Sequence, residues 1–98
     1  MTLPFRLGST SYVAQAGLVE NAARLLGVVD DVELVLFDSP NASNLPDEAT
    51  VLQLADVDGD RLTFSLHLPT TLRLVDPDPS ARARSLDQAA ALLERCHP

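Results

Sequence analysis

The sequence lacks most of the residues that would announce a common chemistry. Cys96 is the lone cysteine among 98 residues, so neither an internal disulfide nor a cysteine-based zinc cluster can form within the chain. Basic side chains number 7 against 14 acidic ones, a net charge of -7. Such a surface repels phosphate backbones, and no nucleic-acid partner is expected. All of the basic residues are arginine and none is lysine, a bias better ascribed to genome composition than to any site. The opening run Met1-Thr2-Leu3-Pro4-Phe5-Arg6 has neither the cationic region nor the long apolar run of a signal peptide. No apolar run approaches the roughly 20 residues that cross a bilayer. The expectation is a soluble, cytoplasmic protein with no membrane partner. GxGxxG, P-loop, HExxH and GxSxG patterns are also missing, which removes the usual signposts of nucleotide, zinc-protease and serine-hydrolase sites.

What is present is a globular composition, 46% hydrophobic and 21% charged, arranged as alternating strand and helix signals. Phe5 to Thr10 reads as a short strand ended by Ser9-Thr10-Ser11. From Ala14 to Leu26, Leu18, Ala22 and Leu25 recur at helical spacing, with Glu20, Asn21 and Arg24 assigned to the solvent side and Gly27 to the C-terminal cap. Val32 to Phe37 is the clearest strand, punctuated at its start by Asp30-Asp31. After a loop from Pro40 to Pro46, Asp47 is placed to cap a helix carrying Val51, Leu54 and Ala55. Leu62 to Leu68 reads as a third strand stopped by Pro69. Asp78 followed by Pro79 opens a helix that runs through Leu86, Ala89, Ala90 and Leu93 to about Arg95. The order β-α-β-α-β-α is that of a parallel α/β fold.

Strand phase narrows the class further. In the third strand Leu62, Phe64, Leu66 and Leu68 share one face, and Thr63, Ser65 and His67 the other. A doubly wound sheet is covered on both faces and favours apolar residues on both. A strand apolar on one side and small-polar on the other suits a barrel wall with a polar interior. The same phase turns Val32, Leu34 and Leu36 outward with Phe5 and Leu7, and turns Arg6, Gly8, Thr10, Glu33, Val35 and Phe37 inward. Arg6 and Glu33 then form an expected internal ion pair, since unpaired charges there would be costly. The predicted fold is the first three β-α units of a TIM (β/α)8 barrel, with helices on one side, as a single partial domain over residues 1–98. A complete barrel typically takes about 250 residues.

Two residues stand out as candidate metal ligands. His67 falls at the C-terminal mouth, where TIM-barrel chemistry sits, and Asp38 ends the second strand at the same mouth. Each also has a plainer reading, His67 as a hydrogen-bonded structural residue and Asp38 as a loop-start cap. Asp56-Val57-Asp58-Gly59-Asp60 lacks the later glutamate of a calcium loop and reads as an Asp-Gly turn. Arg82 and Arg84 are read as a solvated helix face, with a phosphate contact as the alternative. His97 is given no role.

Four segments taken together carry a family resemblance: Phe5-Arg6-Leu7-Gly8-Ser9-Thr10-Ser11-Tyr12, then Asp30 to Asp38, then Asn44-Leu45-Pro46, then Leu66-His67-Leu68-Pro69. In this order and spacing they resemble the cobamide-remodelling phosphodiesterases of the xylose-isomerase-like, endonuclease-IV-like TIM-barrel superfamily. The likeness runs from Phe5 to about Arg95. It implies a divalent-metal hydrolase, with zinc as the expected metal, that opens the phosphodiester in the nucleotide loop of a cobamide such as vitamin B12. His67 matches the ligand that the third strand supplies in such barrels, and metal there would polarise phosphoryl oxygens and generate hydroxide. The ligands of strands four to eight fall outside the chain, so the 98 residues are expected to be an N-terminal fragment, inactive alone. The alternatives are a fragment of a sugar phosphate isomerase or epimerase of the same fold, and a non-catalytic module completed by a partner chain or by oligomerisation through exposed sheet edges.

Overall fold

The computed structural model describes residues 3–57 and 61–96. It is an α/β arrangement of three parallel strands and three helices: β1 (Gly8–Thr10), α1 (Leu18–Leu25), β2 (Asp31–Val35), α2 (Glu48–Val57), β3 (Thr63–His67) and α3 (Pro79–Arg95). The strands lie in the order β1-β2-β3, with β2 central. Gly8 is in register with Asp31, and Asp31 with Thr63, so the polar residues of all three strands fall in lateral rows.

The core sits on one side of this sheet. Val32, Leu34 and Leu36 are buried together with Ala22 and Leu25 of α1, Leu54 of α2 and Leu62, and Cys96 just beyond α3 packs against the same cluster. The opposite parity, Thr63, Ser65 and His67, is exposed. The expected division of β2 and β3 into a covered apolar face and an open polar face is therefore present. The radius of gyration is 14.9 Å, above the roughly 13 Å of a compact domain of about 100 residues, as suits a sheet that the described helices cover on one face only.

Several boundaries shift, each for a local reason. α1 starts at Leu18 rather than near Ala14 because Asn21 takes over the preceding backbone. Its side chain is fully buried, not on the solvent side as expected. Asn21 Oδ1 accepts from the N–H groups of Val13 and Ala14, and Nδ2 donates to the carbonyls of Ala14, Ala16 and Gly17. A buried carboxamide thus supplies bonds that a longer helix would have drawn from its own ladder. Glu20 and Arg24 do face solvent and pair with each other at 3.2 Å. Past α1, Leu26 (φ -59°, ψ 126°) and Gly27 (φ 81°) form a type II turn, with the Val28 N–H donating to the Leu25 carbonyl at 2.9 Å. Only the second central position of that turn needs positive φ, and glycine occupies it.

β1 begins at Gly8 instead of Phe5. Phe5 is 59% exposed, against the expectation that it would lie under helices. The Asp30 side chain accepts from the Leu7 N–H at 2.8 Å and replaces the strand ladder at that end. β2 ends in the same manner. Asn44 accepts from the Phe37 N–H at 2.7 Å and donates to the Val35 carbonyl at 2.8 Å, so one side chain stands where a neighbouring strand would have continued.

The helix caps read from sequence are in place. The Asp47 carboxylate accepts from the Thr50 N–H at 2.7 Å, and Asp78 accepts from the Ser80 N–H at 3.1 Å. The face of α3 differs from expectation. Its buried residues are Ser85, Ala89 and Leu92, while Leu86 and Leu93 are more than half exposed. The connection from β3 explains the rotation. Ser85 Oγ accepts from the Arg73 N–H at 2.8 Å, and Arg82 donates to the Asp76 carbonyl at 2.7 Å. Together they turn this side of the helix onto its own preceding loop. Arg82 is thus a loop anchor rather than part of a solvated face. α2 takes in Asp56 and Val57, whereas Asp58, Gly59, Asp60 and His97 lie outside the described residues.

Two tests follow from these contacts. Asn21→Ala should destabilise the chain by about 2 kcal/mol, because buried backbone groups lose partners. Urea denaturation measures this, and a loss below about 0.5 kcal/mol would contradict the buried role. The second concerns acid. Hydrogen bonds from Thr50, first from its side chain and then from its backbone, lower the Asp47 carboxyl below its ordinary value. A carboxylate whose pKa is depressed by folding stabilises above its unfolded pKa, and that contribution is lost as pH falls through the folded one. Asp47→Asn keeps a capping oxygen but cannot titrate. It should make the acid limb of the melting curve shallower, and coincident acid limbs would refute the linkage.

Candidate functional site

The chemistry-bearing side chains gather on the open face of the sheet. At its lower end Asp31, on central β2, receives two hydroxyl bonds from β3. Thr63 Oγ1 donates to Asp31 Oδ1 at 2.7 Å, and Ser65 Oγ donates to Asp31 Oδ2 at 2.7 Å. Arg6 completes the chain of bonds, its Nη2 donating to Thr63 Oγ1 at 2.6 Å and to the Asp30 carbonyl at 3.3 Å. The guanidinium is thereby linked to the Asp31 carboxylate through one hydroxyl, which accepts from the first and donates to the second.

This corrects the expected ion pair. No ion pair joins Arg6 to Glu33 among the described residues; Arg6 is directed to Thr63 and Asp30 instead. The register shows why. Glu33 lies opposite Thr10 and Ser65, one row above Asp31, while Arg6 precedes β1 and reaches only the lowest row. Sequence reading treated Asp30-Asp31 as punctuation and so overlooked Asp31. Its parity with Glu33 and Val35, opposite to Val32 and Leu34, was the available signal.

His67 occupies the top of the same face. It is the last residue of β3, exposed, in register with Val35, and its carbonyl accepts from the Leu36 N–H at 3.0 Å. Glu33 lies one row below on the neighbouring strand. Asp38 has different surroundings. It lines a crevice of about 530 Å³ together with Thr71, Gln88, Leu92 and Arg95, and so faces the side to which α3 contributes. Its carbonyl accepts from Thr71 Oγ1 at 3.4 Å.

The donor set can be tested against zinc directly. Zinc is held by three or four nitrogen, sulfur or carboxylate donors in near-tetrahedral geometry. Among the described residues no three or more His, Cys, Asp and Glu side chains come together in such an arrangement. The remaining sulfur, Cys96, is half-buried on the helix side, and burial raises its thiol pKa, favouring the protonated form rather than the thiolate a metal requires. These residues alone do not fit a zinc centre. What they offer is one outward imidazole above a hydrogen-bonded carboxylate.

No family model, curated protein or solved structure matches the chain. No helix among the described residues is long and apolar enough to cross a membrane.

The Asp31 network makes a prediction of its own. Asp31→Ala leaves the Thr63 and Ser65 hydroxyls without the carboxylate they donate to, while Arg6 keeps its bonds to Thr63 and the Asp30 carbonyl. The cost should be about 1–2 kcal/mol, the lower part of the range for bonds to a charged group because the site is half open to water. Asp31→Asn keeps one acceptor oxygen and should lose less. Chemical denaturation ranks the variants, and equal stability of wild type and Asp31→Ala would remove the network from any account of the sheet.

Proposed function

We propose that this chain is the N-terminal part of a xylose-isomerase-like TIM barrel, of the kind that hydrolyses the nucleotide-loop phosphodiester of cobamides in the cytoplasm. The observation that supports the reading is the pairing of a polar open face with a covered apolar one, and the position of His67 at the C-terminal end of β3 on that open face. Substrate sites of barrels lie at this end of the strands. The four segments that resemble the cobamide phosphodiesterases lie at structurally meaningful places: along β1 and β2, at the Asn44 clamp on the end of β2, and through the C-terminal half of β3.

Under this reading the residues divide by height. Arg6, Thr63, Asp31 and Ser65 form the floor and hold the strands in register. His67 would contribute one imidazole nitrogen at the mouth, and the other donors would come from the remaining strands of the barrel. Asp38, at the end of β2, approaches the mouth from the helix side and serves the loop there. A sugar phosphate isomerase of the same fold would use the same open face, so the substrate must be decided by assay.

The 98-residue chain should show no hydrolysis of a cobamide, with or without added divalent metal, and should bind zinc only loosely. In a chain extended to the complete barrel, His67→Ala should lower metal content and cobamide hydrolysis together, while Asp38→Ala has the smaller effect. Release of the lower-ligand nucleoside, with metal content measured in parallel, reads both. Full metal and full activity in the extended His67→Ala protein would return that histidine to a structural role.

A further inference from the structure

The connection between β3 and α3 is held by bonds made within itself and to the start of the helix that follows. Asp76 is at their centre. Its side chain is 11% exposed, and its two oxygens have separate partners: Oδ1 accepts from the Asp78 N–H at 2.8 Å, and Oδ2 pairs with Arg73 Nε at 2.7 Å. The backbone of Asp76 is held as well, its N–H donating to the Arg73 carbonyl at 3.3 Å and its carbonyl accepting from Arg82 Nη1 at 2.7 Å. The same nitrogen of Arg82 donates to the Pro77 carbonyl at 3.2 Å. Nearer β3, the Leu72 N–H donates to the Pro69 carbonyl at 3.1 Å, and the Arg73 N–H donates to Oγ of the buried Ser85 at 2.8 Å. Asp78 then caps α3 through the Ser80 N–H. All of these partners lie between Pro69 and Ser85. Towards β2, the Thr71 hydroxyl donates to the Asp38 carbonyl at 3.4 Å, longer than an ordinary O–H···O bond.

We infer that residues 69–78 and the first two turns of α3 form one clasped unit, with Asp76 as the clasp, which opens as a body and without opening the sheet. Loops that act as lids hold few such bonds and open at almost no cost. Here the N–H groups of Leu72, Arg73, Asp76 and Asp78 are all satisfied inside the unit. A carboxylate of little exposure also joins a guanidinium to a backbone N–H, so opening would strand both donors. Position gives the clasp its consequence. The loop departs directly from His67, and the loops that follow the strands build the mouth of a barrel. On the barrel reading proposed above, on which this consequence rests, the clasped loop is a preformed wall beside His67 and not a lid. Any segment that closes over the mouth must then come from elsewhere in the barrel.

Native-state hydrogen exchange of the full chain tests the clasp without metal or substrate. The amides of Arg73, Asp76 and Asp78 should exchange more slowly than in an unstructured chain, by about tenfold or more. Asp76→Ala directly frees the Asp78 N–H alone, yet it should speed all three amides by a similar factor, because the unit opens together. Arg82→Ala removes no partner of these N–H groups and should nonetheless speed all three. Asp76→Asn keeps an acceptor oxygen for Asp78 but loses the pairing with Arg73, and should fall between wild type and Asp76→Ala. In every variant the Val35 and Leu36 amides of the β2 segment, bonded to Ser11 Oγ and the His67 carbonyl, should keep their wild-type rates. Unprotected amides at Arg73, Asp76 and Asp78 in the wild type would overturn the inference. So would an Asp76→Ala effect confined to Asp78, or Val35 and Leu36 accelerating along with the loop. These rates are read without reference to a barrel, so the clasp and the barrel reading fail separately.

Discussion

Burial of Val32, Leu34 and Leu36 under α1 and α2 is the contact on which every other feature depends. β2 is the central strand, and its alternate residues fix the sheet's orientation toward the helices. The side chains of an unbulged strand alternate, so once these three enter the core, Asp31, Glu33 and Val35 must leave it. Neighbouring strands inherit the choice through register. Thr63, Ser65 and His67 lie opposite Asp31, Glu33 and Val35 and share their face. A one-residue slip would place carboxylates beneath α1 and three aliphatic side chains in water, which is why a modest core can specify the arrangement.

That logic explains what could be read from the sequence. The period-2 pattern of Val32-Leu36 and Leu62-Leu68 gave element type, strand phase and the position of His67, because hydrophobic alternation reports directly on burial. Asp47, Gly27 and Asp78-Pro79 were readable because capping and turn geometry are local. The failures share a cause of the other kind. Asn21 looks like a surface residue by its chemistry, and only the backbone of residues 13–17 folding back over α1 makes its burial favourable. The face of α3 could not be taken from Leu86, Ala90 and Leu93, because the docking of Arg73 and Asp76 by Ser85 and Arg82 sets the rotation. Arg6 and Glu33 have opposite charges and the same parity, but a ladder offset of one row directs the arginine to Thr63. Tertiary hydrogen bonds decided each case, and none of them has a sequence period.

The same alternation leaves the molecule with two kinds of unfinished surface, and they differ in chemistry. The polar face satisfies much of its hydrogen bonding internally: both Asp31 oxygens accept hydroxyls, and Arg6 is anchored at two acceptors. Water completes what remains at little cost, so this face is compatible with solvent and with substrate alike. The β3 edge, with the groove floored by Leu62, Phe64 and Leu66 beside it, differs, because its outward amides and carbonyls can bond to water whereas its apolar floor gains nothing from it.

A division of that kind bears on how any activity would be organised. In a wall of β-α units the polar face becomes a site only when strands from elsewhere curve it into a cavity, since one imidazole on an open sheet neither excludes water nor fixes a metal. Under the barrel reading proposed above, strands added at both edges, β1 and β3, would bring their side chains to the mouth beside His67. The donors that the described residues do not bring together would then have to come from those strands, so the covered apolar face sets where such a site could form and the missing donors set what it could do.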